Sequence, residues 1–145
     1  LELAIEELNH FKQVMKIIAS RNLIIENEKK DPYVNELRRH MKKSDSEAYL
    51  LDRLLSGAVI EARGEESFSL LAENLSDQAL RGFYARISAS EARHFCLFLD
   101  LADKYFHRKT VKDRLSEWIE IEKLAIPLWS VEQQTLGRVD VLPNV

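Results

Sequence analysis

An all-α helical bundle is the fold class this sequence predicts, on three observations. The chain has 145 residues but only four glycines and three prolines, too little punctuation for a sheet-rich fold. Apolar residues recur at steps of three and four over long segments, the spacing that places side chains on one face of a helix. Good N-cap residues, Ser44-Asp45-Ser46 and Ser76-Asp77, stand where such segments begin.

Each element follows in chain order. A first amphipathic helix runs from the start to about Asn22, and an irregular, charged stretch follows through Pro32. A short helix is expected around Val34 to Lys42. After the Ser44-Asp45-Ser46 cap, a long helix carries the chain to about Asn74, and the Ser76-Asp77 cap opens another that reaches about His107. Thr110-Val-Lys-Asp113 resembles a capping box with Asp in the Glu/Gln place; it opens a last helix, which Pro127 ends or kinks. Residues 1–129 read as one bundle domain and residues 130–145 as an irregular tail.

Two segments break the apolar pattern in the same way, Glu7-Leu-Asn-His10-Phe11 and Glu91-Ala-Arg-His94-Phe95. Stepping by four and three along the fourth helix meets Leu80, Tyr84, Ile87, Glu91, His94, Phe98, Leu101 and Tyr105. The same walk through the first helix meets Leu3, Glu7, His10, Val14 and Ile17. Positions i and i+3 share a helix face, so each segment points a carboxylate and an imidazole in one direction. A buried carboxylate without a partner is costly, and it needs a metal, a cation or a hydrogen-bond network. Either segment alone reads equally well as a locally satisfied polar pair. Two at the same phase, joined by a third inward carboxylate, point to metal.

That third group is Glu61, on a stripe with Leu54, Ala58 and Phe68. Gly57 and Gly64 lie about one turn to either side of it. Glycine inside a helix costs about 1 kcal/mol relative to alanine, so something comes close to the backbone there. Carboxylates and imidazoles without a thiolate suit iron or manganese better than structural zinc. Two-metal carboxylate bundles use half-sites, each with a Glu on one helix and a Glu-x-x-His on the next. Glu61 with Glu91 and His94 makes one complete half-site. Glu7 and His10 make part of the other, so a preceding helix with its own Glu is expected to be absent from this chain.

The stretches Glu6-Glu7-Leu-Asn-His10-Phe-Lys-Gln-Val14, Gly57-Ala-Val-Ile-Glu61-Ala-Arg63 with Glu66 and Phe68 after it, Phe83-Tyr84, and Ser90-Glu91-Ala-Arg-His94-Phe95 carry a resemblance. From about Leu3 to Lys123 the chain resembles the tRNA-(2-methylthio-N6-isopentenyladenosine) hydroxylases, the MiaE family. The resemblance implies a ferritin-like bundle, here without its first helix, and a non-haem di-iron monooxygenase. Its implied reaction is hydroxylation of the isopentenyl group of a hypermodified adenosine next to the tRNA anticodon. It implies Glu7, His10, Glu61, Glu91 and His94 as ligands to two iron ions, with O2 and an external electron donor as co-reactants. Arg63, Tyr84 and Arg93 are close enough in sequence to tune the metals through their ligands, although each reads equally well as a packing or surface residue.

Composition narrows the partners. The formal net charge is −3, so contact with tRNA must come from a local patch, for which Lys29, Lys30, Arg38, Arg39, Lys42 and Lys43 are the candidates, with Tyr33 as a stacking face. No stretch is long and apolar enough to cross a membrane, and no secretory signal pattern stands at the start. A single cysteine, Cys96, excludes an internal disulfide and suits the cytoplasm. Two alternatives remain: a ferritin-like di-iron oxidase or peroxidase acting on another substrate, and a metal-free helical interaction protein.

Overall fold

The computed structural model describes residues 1–24 and 31–136, and among these it contains five helices and no strand. They are α1 (Glu2–Ser20), α2 (Pro32–Arg39), α3 (Ser46–Asn74), α4 (Gln78–Tyr105) and α5 (Arg108–Leu136). The predicted all-α architecture is therefore the observed one.

Local chemistry sets the helix starts. Asp45 and Asp77 each accept two backbone N–H groups in the first turn of α3 and α4, as their caps predict. α2 starts earlier than expected, at Pro32, because Asp31 accepts from the Tyr33 and Val34 amides and proline is preorganised for the first helical position. α5 also starts early. Its first turn is closed by His107 Nδ1 accepting from the Lys109 amide at 3.2 Å, while Asp113 of the expected capping box instead pairs with Lys109 Nζ at 2.6 Å.

Pro127 does not end α5, which continues to Leu136, so irregular chain does not begin at Ser130. A proline removes one backbone bond and crowds the preceding turn, and the helix tolerates that here. The remainder of the expected tail, residues 137–145, lies outside the described residues.

α3 and α4 form the centre of the bundle, antiparallel and in a register that four contacts fix. Gly57 faces Phe98, Gly64 faces Glu91, the Glu65 carbonyl accepts from Ser88 Oγ, and the Ala72 carbonyl accepts from Arg81 Nε. The main core lies where α2 and α5 cover α3: Tyr33, Leu37, Leu51, Leu55, Val59, Val111, Trp118 and Ala125, with Ala102 of α4. Burying each large apolar side chain here contributes about 1.5–3 kcal/mol. α1 is different. It buries no residue and leaves Ile5, Leu8 and Phe11 exposed, meeting the bundle chiefly through Glu6, Glu7 and His10.

Both inward glycines mark close approaches, with different consequences. A Cβ on Gly64 would sit 3.5 Å from Glu91, an ordinary contact, whereas one on Gly57 would sit 3.0–3.2 Å from three atoms of the Phe98 ring. Gly64→Ala is expected to raise stability by up to about 1 kcal/mol through helix propensity. Gly57→Ala is expected to lose that gain to repacking of Phe98, which costs about 1–3 kcal/mol. Urea unfolding of the two variants checks the opposite signs.

Candidate metal centre

α1, α3 and α4 converge on one polar cluster inside the bundle. Glu91 and His94 of α4 are 8% and 3% exposed, held inward by the packing of Phe83, Ile87 and the facing α3 surface. α3 adds Glu61 opposite His94, and α1 adds Glu7 and His10. Two overlapping groups each bring ligand atoms within 4.8 Å of one another: Glu7, His10 and Glu91, and Glu61, Glu91 and His94. Glu91 belongs to both.

His94 Nδ1 lies 3.0 Å from Glu7 Oε1 and 3.6 Å from Glu61 Oε2. His10 Nδ1 lies 3.5 Å from Glu7 Oε1 and 3.9 Å from Glu91 Oε1. None of these approaches is aligned as a hydrogen bond, so both Nδ1 atoms are buried without a partner. Such orphaned atoms are rare in folded proteins and need a reason. The three carboxylates raise the same question. Burial first, then a hydrogen bond and charge from Glu91 and the charge of Glu7, push the Glu61 carboxyl well above the usual carboxylate range.

The outer edge of His94 is fully partnered. Its Nε2 faces Glu6 Oε2 at 3.2 Å, and Glu6 also accepts from Ser90 Oγ and from Arg93 Nη2 at 2.6 Å. Hydrogen bonds from Ser90 and then His94 hold the Glu6 carboxyl down at about 2. An ionised carboxylate can only accept, so His94 Nε2 is the donor, and the other ring nitrogen, Nδ1, faces the cluster. Carboxylate–histidine pairs of this kind orient metal-binding imidazoles.

The donor set therefore fits a pair of divalent cations. A cation at either group would meet orphaned imidazole nitrogens and relieve repulsion among carboxylates, and oxygen with nitrogen donors matches iron or manganese. All five residues singled out in the sequence, Glu7, His10, Glu61, Glu91 and His94, reach this centre. Glu6 and Ser90 were not singled out. The signal was present, an acid or hydroxyl directly before each Glu-x-x-His glutamate, but helix rotation decides which of two adjacent glutamates points inward.

The chain matches the family model described as tRNA-(MS[2]IO[6]A)-hydroxylase (MiaE) over residues 1–130. The chain belongs to the MiaE family. Within the bacterial MiaE relatives it is 38% identical to the tRNA 2-(methylsulfanyl)-N(6)-isopentenyladenosine(37) hydroxylase of Pseudomonas putida, over 71% of this chain and 49% of that protein. It is equally 38% identical to the hydroxylase of the same name from Salmonella typhimurium, over 68% of this chain and 36% of that protein. This MiaE-family chain thus spans half or less of the curated relatives it matches. A solved structure, "Protein 43 with aldehyde deformylating oxygenase activity from Synechococcus", superposes with a TM-score of 0.81 at 37% identity, covering 86% of this chain and 61% of that one. That agreement places the MiaE bundle in the predicted ferritin-like class.

The other residues expected to act near the metals are spread more widely. Arg93 reaches the centre through Glu6. Tyr84 stacks on Phe68, with ring centroids 5.7 Å apart. Arg63 turns away toward α5, where its Nε donates to Glu122 at 2.7 Å and its Nη1 pairs with Glu66. Burial, and then the Glu122 charge, push the Tyr33 hydroxyl up, so it remains a donor to Glu122. The basic patch divides as well. Arg39 pairs with Glu36, Lys42 and Lys43 line separate grooves, and Lys29 and Lys30 lie outside the described residues.

Proposed function

We propose that the protein is a non-haem di-iron monooxygenase that hydroxylates the isopentenyl group of a hypermodified adenosine beside the tRNA anticodon. One observation carries the metal part: two orphaned imidazole nitrogens and three crowded carboxylates lie in two overlapping groups that share Glu91. The names of the bacterial relatives carry the substrate part.

In this reading Glu7, His10 and Glu91 would hold one iron and Glu61, Glu91 and His94 would hold the other. When bound, the iron pair supplies activation of O2, with electrons from an external donor, for insertion of one oxygen atom into an allylic C–H bond. The chain's own side chains do the rest. Glu6, held by Ser90 and Arg93, fixes the His94 ring with Nδ1 inward, and Glu61 gives up its proton when a cation arrives. Near-complete burial of Glu91 and His94 keeps bulk water from the α4 side of the centre. Among the described residues no helix is long and apolar enough to cross a membrane, and a tRNA substrate places the work in the cytoplasm.

A second reading keeps the metal centre and changes the substrate, supported by the oxygenase activity named for the Synechococcus structure. Comparison of tRNA nucleosides by mass spectrometry from cells with and without the gene separates the two. The hydroxylated isopentenyladenosine is expected to vanish with the gene and return on complementation. An unchanged hydroxylated fraction overturns the tRNA reading. A folded preparation that retains no iron after loading overturns both.

A further inference from the structure

Away from the metal ligands, α2, the start of α3 and the middle of α4 enclose a groove of about 370 Å3. Arg38, Lys43 and Arg53 line it, with Tyr49 and Phe98 as its aromatic walls, and among the described residues no carboxylate does. In a chain of net charge −3, that is a local reversal of sign. The three cations are also unengaged. Among the described residues none of them forms an ion pair, whereas Arg21, Arg39, Arg63, Arg93 and Arg114 all do.

Position ties this groove to the centre. Phe98 lies one turn beyond His94 on α4 and Gly57 one turn before Glu61 on α3, about 6 Å along each helix axis. Gly57 and Phe98 touch each other and both line the groove. Unpaired cations attract phosphates, and the half-buried rings of Tyr49 and Phe98 beside them offer surface on which a base can stack, the combination that binds single-stranded nucleic acid.

We propose that this groove binds the phosphates and bases of the RNA strand that flanks the reacting nucleoside, with Arg38, Lys43 and Arg53 on the phosphates and Tyr49 and Phe98 against a base. The proposal rests on the tRNA reading for its substrate, yet binding does not require iron or turnover. Arg53 is the residue the sequence patch lacked, whereas Arg39 and Lys42 of that patch do not line the groove.

The test is binding of a fluorescent anticodon stem-loop RNA, followed by anisotropy over a range of salt concentrations. Against wild type, the triple variant Arg38→Gln, Lys43→Gln, Arg53→Gln is expected to bind at least about tenfold more weakly, and to lose about 0.7 from the salt slope for each phosphate contact removed. Arg108→Gln with Lys112→Gln, exposed cations elsewhere, is expected to bind as wild type does. All three groove side chains are exposed, so folding is expected to persist, and single variants give the same result in smaller steps should the triple variant fail to fold. Equal affinity and slope for wild type and triple variant, or no binding by wild type, overturns the groove. If the hydroxylated nucleoside disappears with the gene but the triple variant binds normally, the groove fails and the tRNA reading stands. If binding moves as expected but tRNA hydroxylation does not depend on the gene, the reverse holds.

Discussion

Alanine at position 94 is expected to abolish hydroxylation and to weaken iron binding by at least about 100-fold, while the helices remain formed. The His94 side chain is 4% exposed, and its Nδ1 has no partner except the cluster. In the proposed site, removing it takes away a ligand atom together with a desolvated imidazole, so the loss is expected to fall on metal rather than on folding. Glu6→Gln gives the graded counterpart. The amide leaves the imidazole in place but no longer fixes its tautomer, and iron affinity is expected to fall about 10–100-fold, within the usual effect of such outer partners. Iron content after loading and dialysis reads both variants without a turnover assay.

Amide exchange reads the same site independently. α1 buries no residue and reaches the bundle through Glu6, Glu7 and His10, so iron bound by Glu7 and His10 would clamp it to α3 and α4. Iron loading is expected to slow exchange along α1 in wild type and to leave it fast in His10→Ala, which loses the α1 imidazole. A His94→Ala protein that loads iron and hydroxylates normally would remove His94 from the ligand set.

The centre was legible in the sequence because its residues interrupt apolar stripes at one phase, a purely local signal. Glu7 and His10, and Glu91 and His94, needed only the three-residue step, and Glu61 needed the flanking glycines that the structure shows against Phe98 and Glu91. What was not legible depends on distant partners. Asp52 bonds to Arg114 and Trp118, 62 and 66 residues away, and no local pattern announces such a pair. Helix ends moved for capping reasons that short motifs state ambiguously: Asp31-Pro32 started α2 early, and His107 replaced Thr110 as the cap of α5. Pro127 was a breaker by propensity alone. Arg53 escaped the basic patch because its neighbours in sequence, Asp52 and Leu54, turn inward while it faces the groove.

Loss of the Asp52 carboxylate is expected to destabilise the fold by about 3–5 kcal/mol, the range for breaking a buried ion pair from one side. Asp52 is 1% exposed and accepts from Arg114 Nε at 2.7 Å and Nη2 at 3.0 Å, from Trp118 Nε1 at 3.0 Å and from the Lys42 amide at 2.7 Å. One side chain therefore joins α3 to α5 and to the turn after α2. In Asp52→Asn the shape survives, but among the described residues the Arg114 guanidinium, itself 9% exposed, keeps only Glu117 as a charged partner. Acid dependence identifies the cause. Burial alone would raise the Asp52 carboxyl, but the bonds from Arg114, Lys42 and Trp118 together outweigh it and hold the group below its ordinary value. A lowered carboxyl contributes stability above its unfolded value of about 3.9, and that contribution fades as pH falls through the folded value. The gap between wild type and Asp52→Asn, measured by urea unfolding, is therefore expected to be widest near neutral pH and to narrow below pH about 4. A variant within about 1 kcal/mol of wild type at neutral pH, or a gap that widens in acid, would show that the α3–α5 joint does not depend on this charge.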